Sequence, residues 1–137
     1  MGRTKYMMTI EDLASHPIEI QISRLSFGEL GDDNGLIRSA FMIERIADQW
    51  SPSLQQTNST GQQMQVSIRK DVLGDWGHLL KRTIYSFSNV LIQSIQYSGT
   101  GPEPIESIRF SFKAFDMKNS SDSPGTLYQG AQKGRTK

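Results

Sequence analysis

Apolar and polar residues alternate with a period of two along most of the chain, the pattern of strands that bury one face. The longest run is Ile105 to Phe115. Ile108, Phe110, Phe112 and Ala114 fall on one side, and Ser107, Arg109, Ser111 and Lys113 on the other. A helix would scatter the same apolar residues around its circumference. Ile18, Ile20 and Ile22 alternate with Glu19, Gln21 and Ser23, and Met64, Val66 and Ile68 with Gln65, Ser67 and Arg69. Ile37–Ile46 reads as a strand with Phe41 and Ile43 inward. Leu79–Phe87 and Val90–Tyr97 read as two more, and a short further strand is expected at Tyr6–Ile10.

Turn residues punctuate these runs. Gly28, Gly31, Asp32, Asp33, Asn34 and Gly35 read as one loop. Gly74 and Gly77 bracket Asp75 and Trp76, and Gly99, Gly101, Pro102 and Pro104 separate the last long strands. Strand spacing of this kind predicts a mainly β fold, a single small barrel or sandwich of about six to eight antiparallel strands with one short side helix. The helix is expected at Pro52–Thr60. Ser51 is placed to cap it by accepting a backbone N–H, and Pro52 suits its first position. Gly61 can take the left-handed conformation that stops it. Trp50 and Leu54 are its expected anchors. The β domain is expected over residues 1–117. Residues 118–137 read as a polar tail, because Asn119–Gly125 has little apolar surface to bury and only Leu127 and Tyr128 could dock.

With 137 residues the chain is long enough to build a core without metal or disulfide, and it has no cysteine to make a disulfide or a thiolate metal site. Fifteen basic and 14 acidic residues leave a net charge of +1, which gives no electrostatic basis for binding nucleic acid. The basic residues near the ends, Arg3 and Lys5, then Lys133, Arg135 and Lys137, read as solvated termini. No run approaches the ~20 apolar residues of a membrane span, so no membrane insertion is expected. Glu11 and Asp12 interrupt the N-terminal region before any signal-peptide core could form. Synthesis in the cytosol is expected, with any export proceeding without a cleaved signal.

Candidate chemistry is sparse. His16 and His78 are the two histidines, far apart and without a shared carboxylate cluster. Asp71 and Asp75 lack the dense oxygen spacing of a calcium loop and read as turn formers. Gly28-x-x-Gly31 and Gly99-x-Gly101 are too short to cradle a phosphate. No nucleophile–base pair can be assembled, so no catalytic residue, cofactor or metal is expected. Trp50, Trp76, Tyr97 and Tyr128 leave an alternative open, a small β-sandwich module that stacks them on a carbohydrate or a peptide.

The order of the pieces resembles one family. Phe41-Met42-Ile43-Glu44-Arg45-Ile46-Ala47-Asp48 followed by Ser51-Pro52-Ser53-Leu54 resembles the strand and helix start of the Hcp tube proteins of bacterial type VI secretion systems. Gly61, the Met64–Lys70 strand, the Tyr85–Gly99 pair and the late strand Pro104–Lys113 follow in the family's order. The resemblance covers roughly Ile37 to Met117. It implies a β-barrel with one side helix, assembling with itself into hexameric rings that stack as a hollow tube. It also implies spike, sheath and effector proteins as partners, secretion from the bacterial cytoplasm, and no catalytic residues. For such a tube, the outward face of the last strand, with Ser107, Arg109, Ser111 and Lys113, suits a hydrated lumen wall. Glu103, Glu106 and Arg109 suit ion pairs between subunits, each worth only ~0–1 kcal/mol if exposed.

Overall fold

The structure is a computed structural model, and it describes residues 3–11, 17–31, 37–99 and 101–121. Eight strands and one helix follow in the order β1 (Arg3–Ile10), β2 (Ile18–Ile22), β3 (Arg24–Gly31), β4 (Ile37–Ile46), α1 (Ser51–Thr60), β5 (Met64–Leu73), β6 (Leu79–Ser98), β7 (Ile105–Ser111) and β8 (Ala114–Ser121). All described pairings are antiparallel. The path runs β2-β1-β5-β6-β7-β4-β3, with β8 added against β6. The mainly β fold with a side helix is therefore as the alternation predicts. The sheet does not close by hydrogen bonding and is a sandwich.

β6 builds the corner between the two layers. Its first half pairs with β5 and β8, and its second half with β7. The bend falls where Asn89 takes φ 54° and its side-chain amide donates to Gln63 Oε1 at 3.0 Å. Left-handed backbone is tolerated by Asn better than by most residues, so the bend has a local cause. A register shift between Ile92 and Ser94 adds a bulge, which sharpens the turn. The expected pair of strands, Leu79–Phe87 and Val90–Tyr97, is thus one bent strand.

β7 and β8 mirror that bend. β7 ends at Ser111, the Phe112 N–H donates to Ser39 O at 3.2 Å, and the Lys113 N–H donates to Ser88 O at 3.1 Å. The interruption flips the alternation. Ala114 was expected inside, but it is exposed, and Phe115 instead shares the core face with Phe87 across the pair. β8 then continues to Ser121, so the boundary expected after residue 117 falls inside a strand. The loop expected to include Gly28 and Gly31 also holds a strand, β3, paired with β4 from Arg24↔Glu44 to Gly31↔Ile37.

The core lies between the layers. Met8, Ile10, Ile18, Ile20, Ile22, Val66 and Ile68 come from one sheet, and Phe41, Ile43, Ile108 and Phe110 from the other. Phe41 stacks between Phe87 at 4.1 Å and Phe110 at 4.6 Å. The helix packs against β6 and buries Leu54 completely, with Trp50 packed against the core beside it. Gly61 stops it at φ 70°, its N–H donating to Thr57 O. Pro52 occupies the first turn, but Ser51 does not cap. Ser51 is the first helical residue, and its Oγ accepts the Asp48 N–H at 3.1 Å while Asp48 Oδ1 accepts the Trp50 N–H at 2.9 Å. The entry is therefore held by a side-chain-knitted turn before the helix.

Candidate assembly surfaces

Side-chain parity along β4, β7 and β6 places Arg45, Glu106 and Tyr97 in one cross-strand row on the core face. Arg45 and Glu106 are 1% and 0% exposed and form a hydrogen-bonded ion pair. Tyr97 donates its hydroxyl to Glu106 Oε2 at 2.8 Å, and Gln55 of the helix donates to the Tyr97 oxygen. Arg45 also pairs with Asp48 at the helix entry. The row therefore ties β4, β6, β7 and α1 together. Burial raises the Tyr97 pKa, and its bond to Glu106 adds to that. Partial burial pushes the Asp48 carboxyl up, but the bonds from Arg45 and from the Trp50 N–H outweigh this and leave it below its ordinary 3.8.

This row corrects one expectation. Glu106 cannot make an ion pair between subunits, because its carboxylate is sealed inside its own chain. The signal was in the sequence, since Arg45 has the parity of Phe41 and Ile43, and Glu106 that of Ile108 and Phe110. Ser111 is a second correction. It is 3% exposed and accepts a hydrogen bond from Gln93 at 2.7 Å, so it is not part of a wetted wall. Of the remaining positions, Glu103, Arg109 and Lys113 are exposed and Ser107 is half-buried. Arg109 sits beside Met42 and Ser94 on the outer face.

The outer face of the other layer combines an ion-pair network with exposed Leu80 and Ile84. Arg82 holds Asp71 through two hydrogen bonds, 2.7 and 3.1 Å, and Arg69 lies 3.3 Å from the same carboxylate. The hydrogen bond to Asp71 raises the Arg82 pKa, which burial only partly opposes. Asp71 is therefore an ion-pair centre rather than a turn former. Among the described residues no group of three or more His, Cys, Asp or Glu is placed to hold a metal ion, and no helix is long and apolar enough to cross a membrane. His78 donates from Nδ1 to the Asp75 carbonyl in a turn, and His16, Tyr128 and most of the expected tail lie outside the described residues.

Exposed apolar side chains fall in distinct places. Phe27 of β3 and Phe115 of β8 meet at 6.0 Å across the open seam between the layers, with Tyr85 and Phe87 behind them. Both are about half exposed, as is Met117 next along β8. Among the described residues β8 pairs only with β6 and β3 only with β4, so two strand edges flank this aromatic seam. Unpaired edges carrying apolar side chains are the surfaces on which β proteins join other chains. Trp50 packs against the core beside the helix, and Trp76 stands fully exposed on the β5–β6 turn, at a surface hollow with Arg3.

This sandwich, with its bent central strand and a helix packed against it, has the fold of the Hcp proteins of type VI secretion systems. Hcp1 from Salmonella typhimurium aligns at 15% identity with a TM-score of 0.63, over 84% of this chain and 86% of its own. The secreted protein Hcp3 from Pseudomonas aeruginosa aligns at 13% identity with a TM-score of 0.61, over 87% and 98%. A chain of the sheath-tube complex of PVC, an extracellular contractile injection system, aligns at 13% identity with a TM-score of 0.55, over 83% and 88%. The sequence matches no family model and no curated protein.

Proposed function

We propose that this chain is the structural subunit of a secretion tube, joining copies of itself into hexameric rings that stack around a lumen. The reading rests on the near full-length correspondence of its fold with Hcp chains and with a chain of a sheath-tube complex. The seam of Phe27, Phe115 and Met117 supports it, because a lone sandwich gains nothing from leaving these side chains half in water. Rings close when one patch meets a different patch repeated by rotation, and a seam flanked by two unlike edges has that asymmetry. Glu103, Ser107, Arg109 and Lys113 are the remaining candidates for subunit or lumen contacts. In this role the tube is assembled in the bacterial cytoplasm and exported without a cleaved signal. It carries effectors inside and meets spike and sheath proteins at its end and outside. The work is done by shape, without catalysis or cofactor.

The test is the solution mass of the purified chain together with negative-stain images. Particles several times the 15.4 kDa protomer, seen end-on as rings, are expected. A monomer at high concentration would overturn the reading.

A further inference from the structure

The turn between β5 and β6 holds a tryptophan out in water. Trp76 is fully exposed and takes φ 68°, a conformation that bulky L-residues rarely adopt. The surroundings impose it. Gly77 follows at φ 78°, the Gly77 N–H donates to Gly74 O at 3.1 Å, and the Gly74 N–H donates to His78 O at 2.8 Å. His78 Nδ1 ties back to Asp75 O, and a Cβ at Gly74 would meet the His78 ring at 2.9 Å. A turn that spends strain to display an indole is built for contact, since tryptophan is among the residues that carry most of the energy of protein interfaces.

Elsewhere on the surface lies a cleft of about 360 Å³ with the complementary chemistry. Ile22, Ile46 and Ala47 give it apolar walls, and Gln21, Ser23 and Arg45 also line it; Arg45 and the Trp50 N–H already hold Asp48, so Glu103 is the acceptor the cleft offers. Ile46 is 51% exposed there, an apolar side chain left uncovered outside the aromatic seam. Arg3 lines the surface beside Trp76, so the turn brings a cation to a cleft that carries the exposed Glu103 carboxylate. Knob and cleft lie on different parts of the fold, at the β5–β6 turn and at the β2–β3 corner, with β1 between β2 and β5.

We infer that Trp76 of one copy seats in the Ile22–Ile46–Glu103 cleft of a second copy, with its indole against Ile22 and Ile46 and Arg3 pairing with Glu103. The contact is heterologous, so it repeats from copy to copy and supplies a second interface besides the aromatic seam. It rests on the self-assembly proposed above and names one of the surfaces that assembly uses.

The chain contains no cysteine, which makes cross-linking clean. Asp75→Cys and Ala47→Cys proteins, mixed and treated with a short bis-maleimide, should give a dimer band that neither gives alone, because Asp75 neighbours Trp76 in the turn and the indole is kept. Trp76→Ala should weaken assembly about thirtyfold with an unchanged circular dichroism spectrum. Glu103→Arg should weaken it too, and adding Arg3→Glu should restore it. If the wild-type chain assembles but the mixture does not cross-link and Trp76→Ala assembles equally well, the inference fails while the tube reading stands. A wild-type chain that stays monomeric overturns both.

Discussion

Arg45 on β4 and Glu106 on β7 face each other directly across the ladder, each sealed from solvent and bonded to the other. Removing one partner of such a pair leaves an uncompensated charge in low dielectric, which costs about 3–5 kcal/mol. Glu106→Ala should lower the urea midpoint accordingly, with the slope of the transition unchanged. The double replacement Arg45→Met with Glu106→Leu should recover most of the loss, because an apolar pair of similar volume carries no desolvation cost. A double-mutant cycle measures the coupling, and additive effects would show that the pair does not act as a unit.

The same row makes stability depend on pH at its exposed end. The Asp48 pKa is lower in the folded chain than the ordinary 3.8. Its contribution is therefore present above the unfolded value and is lost as pH falls through the folded value. Urea midpoints measured downward from pH 7 should decline less steeply below about pH 4 in Asp48→Asn than in the wild type. Tyr97 has the opposite shift. Its contribution is complete below pH 10 and fades as pH rises through its raised value, so Tyr97→Phe should flatten the alkaline limb.

Much of this architecture could be read from the alternation, and the failures share a cause. Ile18–Ile20–Ile22, Phe41–Ile43 and Ile108–Phe110 each bury one parity, and all landed inside. β3 was missed because Gly28 and Gly31 carry turn signals, while only Leu25 and Phe27 mark an inner face. Here pairing with β4 overrides local preference. β7 and β8 merged into one strand because a break at Phe112 and Lys113 that flips the register leaves no composition change. Glu106 looked like a surface residue by type although its parity pointed inward, and parity proved the stronger guide. The Trp76 turn was legible as a turn, but its φ of 68° and full exposure are properties of the folded backbone.

Phe41 is the centre of the aromatic packing, between Phe87 and Phe110 and with Phe112 6.0 Å away. Phe41→Ala opens a cavity among rings fixed by two sheets, which leaves little room for collapse. A loss of about 3–5 kcal/mol is expected, and a smaller one for Phe41→Leu, read from denaturant midpoints. A small effect for Phe41→Ala would mean that the layers close over the gap.

The assembly proposal separates from folding at β8. Met117 is half exposed at the edge, paired with Tyr85 of β6 and, among the described residues, without a strand on its other side. A charge there costs the folded protomer little, since surface substitutions away from packed sites usually stay within about 0.5 kcal/mol. In a ring, the same charge would be taken out of water without a partner. Met117→Asp should therefore keep the thermal midpoint near wild type and shift the solution mass to the protomer. Arg109→Glu on the outer face of β7 is the companion variant, and its effect locates that face inside or outside the contact. If Met117→Asp forms rings as readily as the wild type, subunits join through a surface other than the Phe27–Phe115 seam.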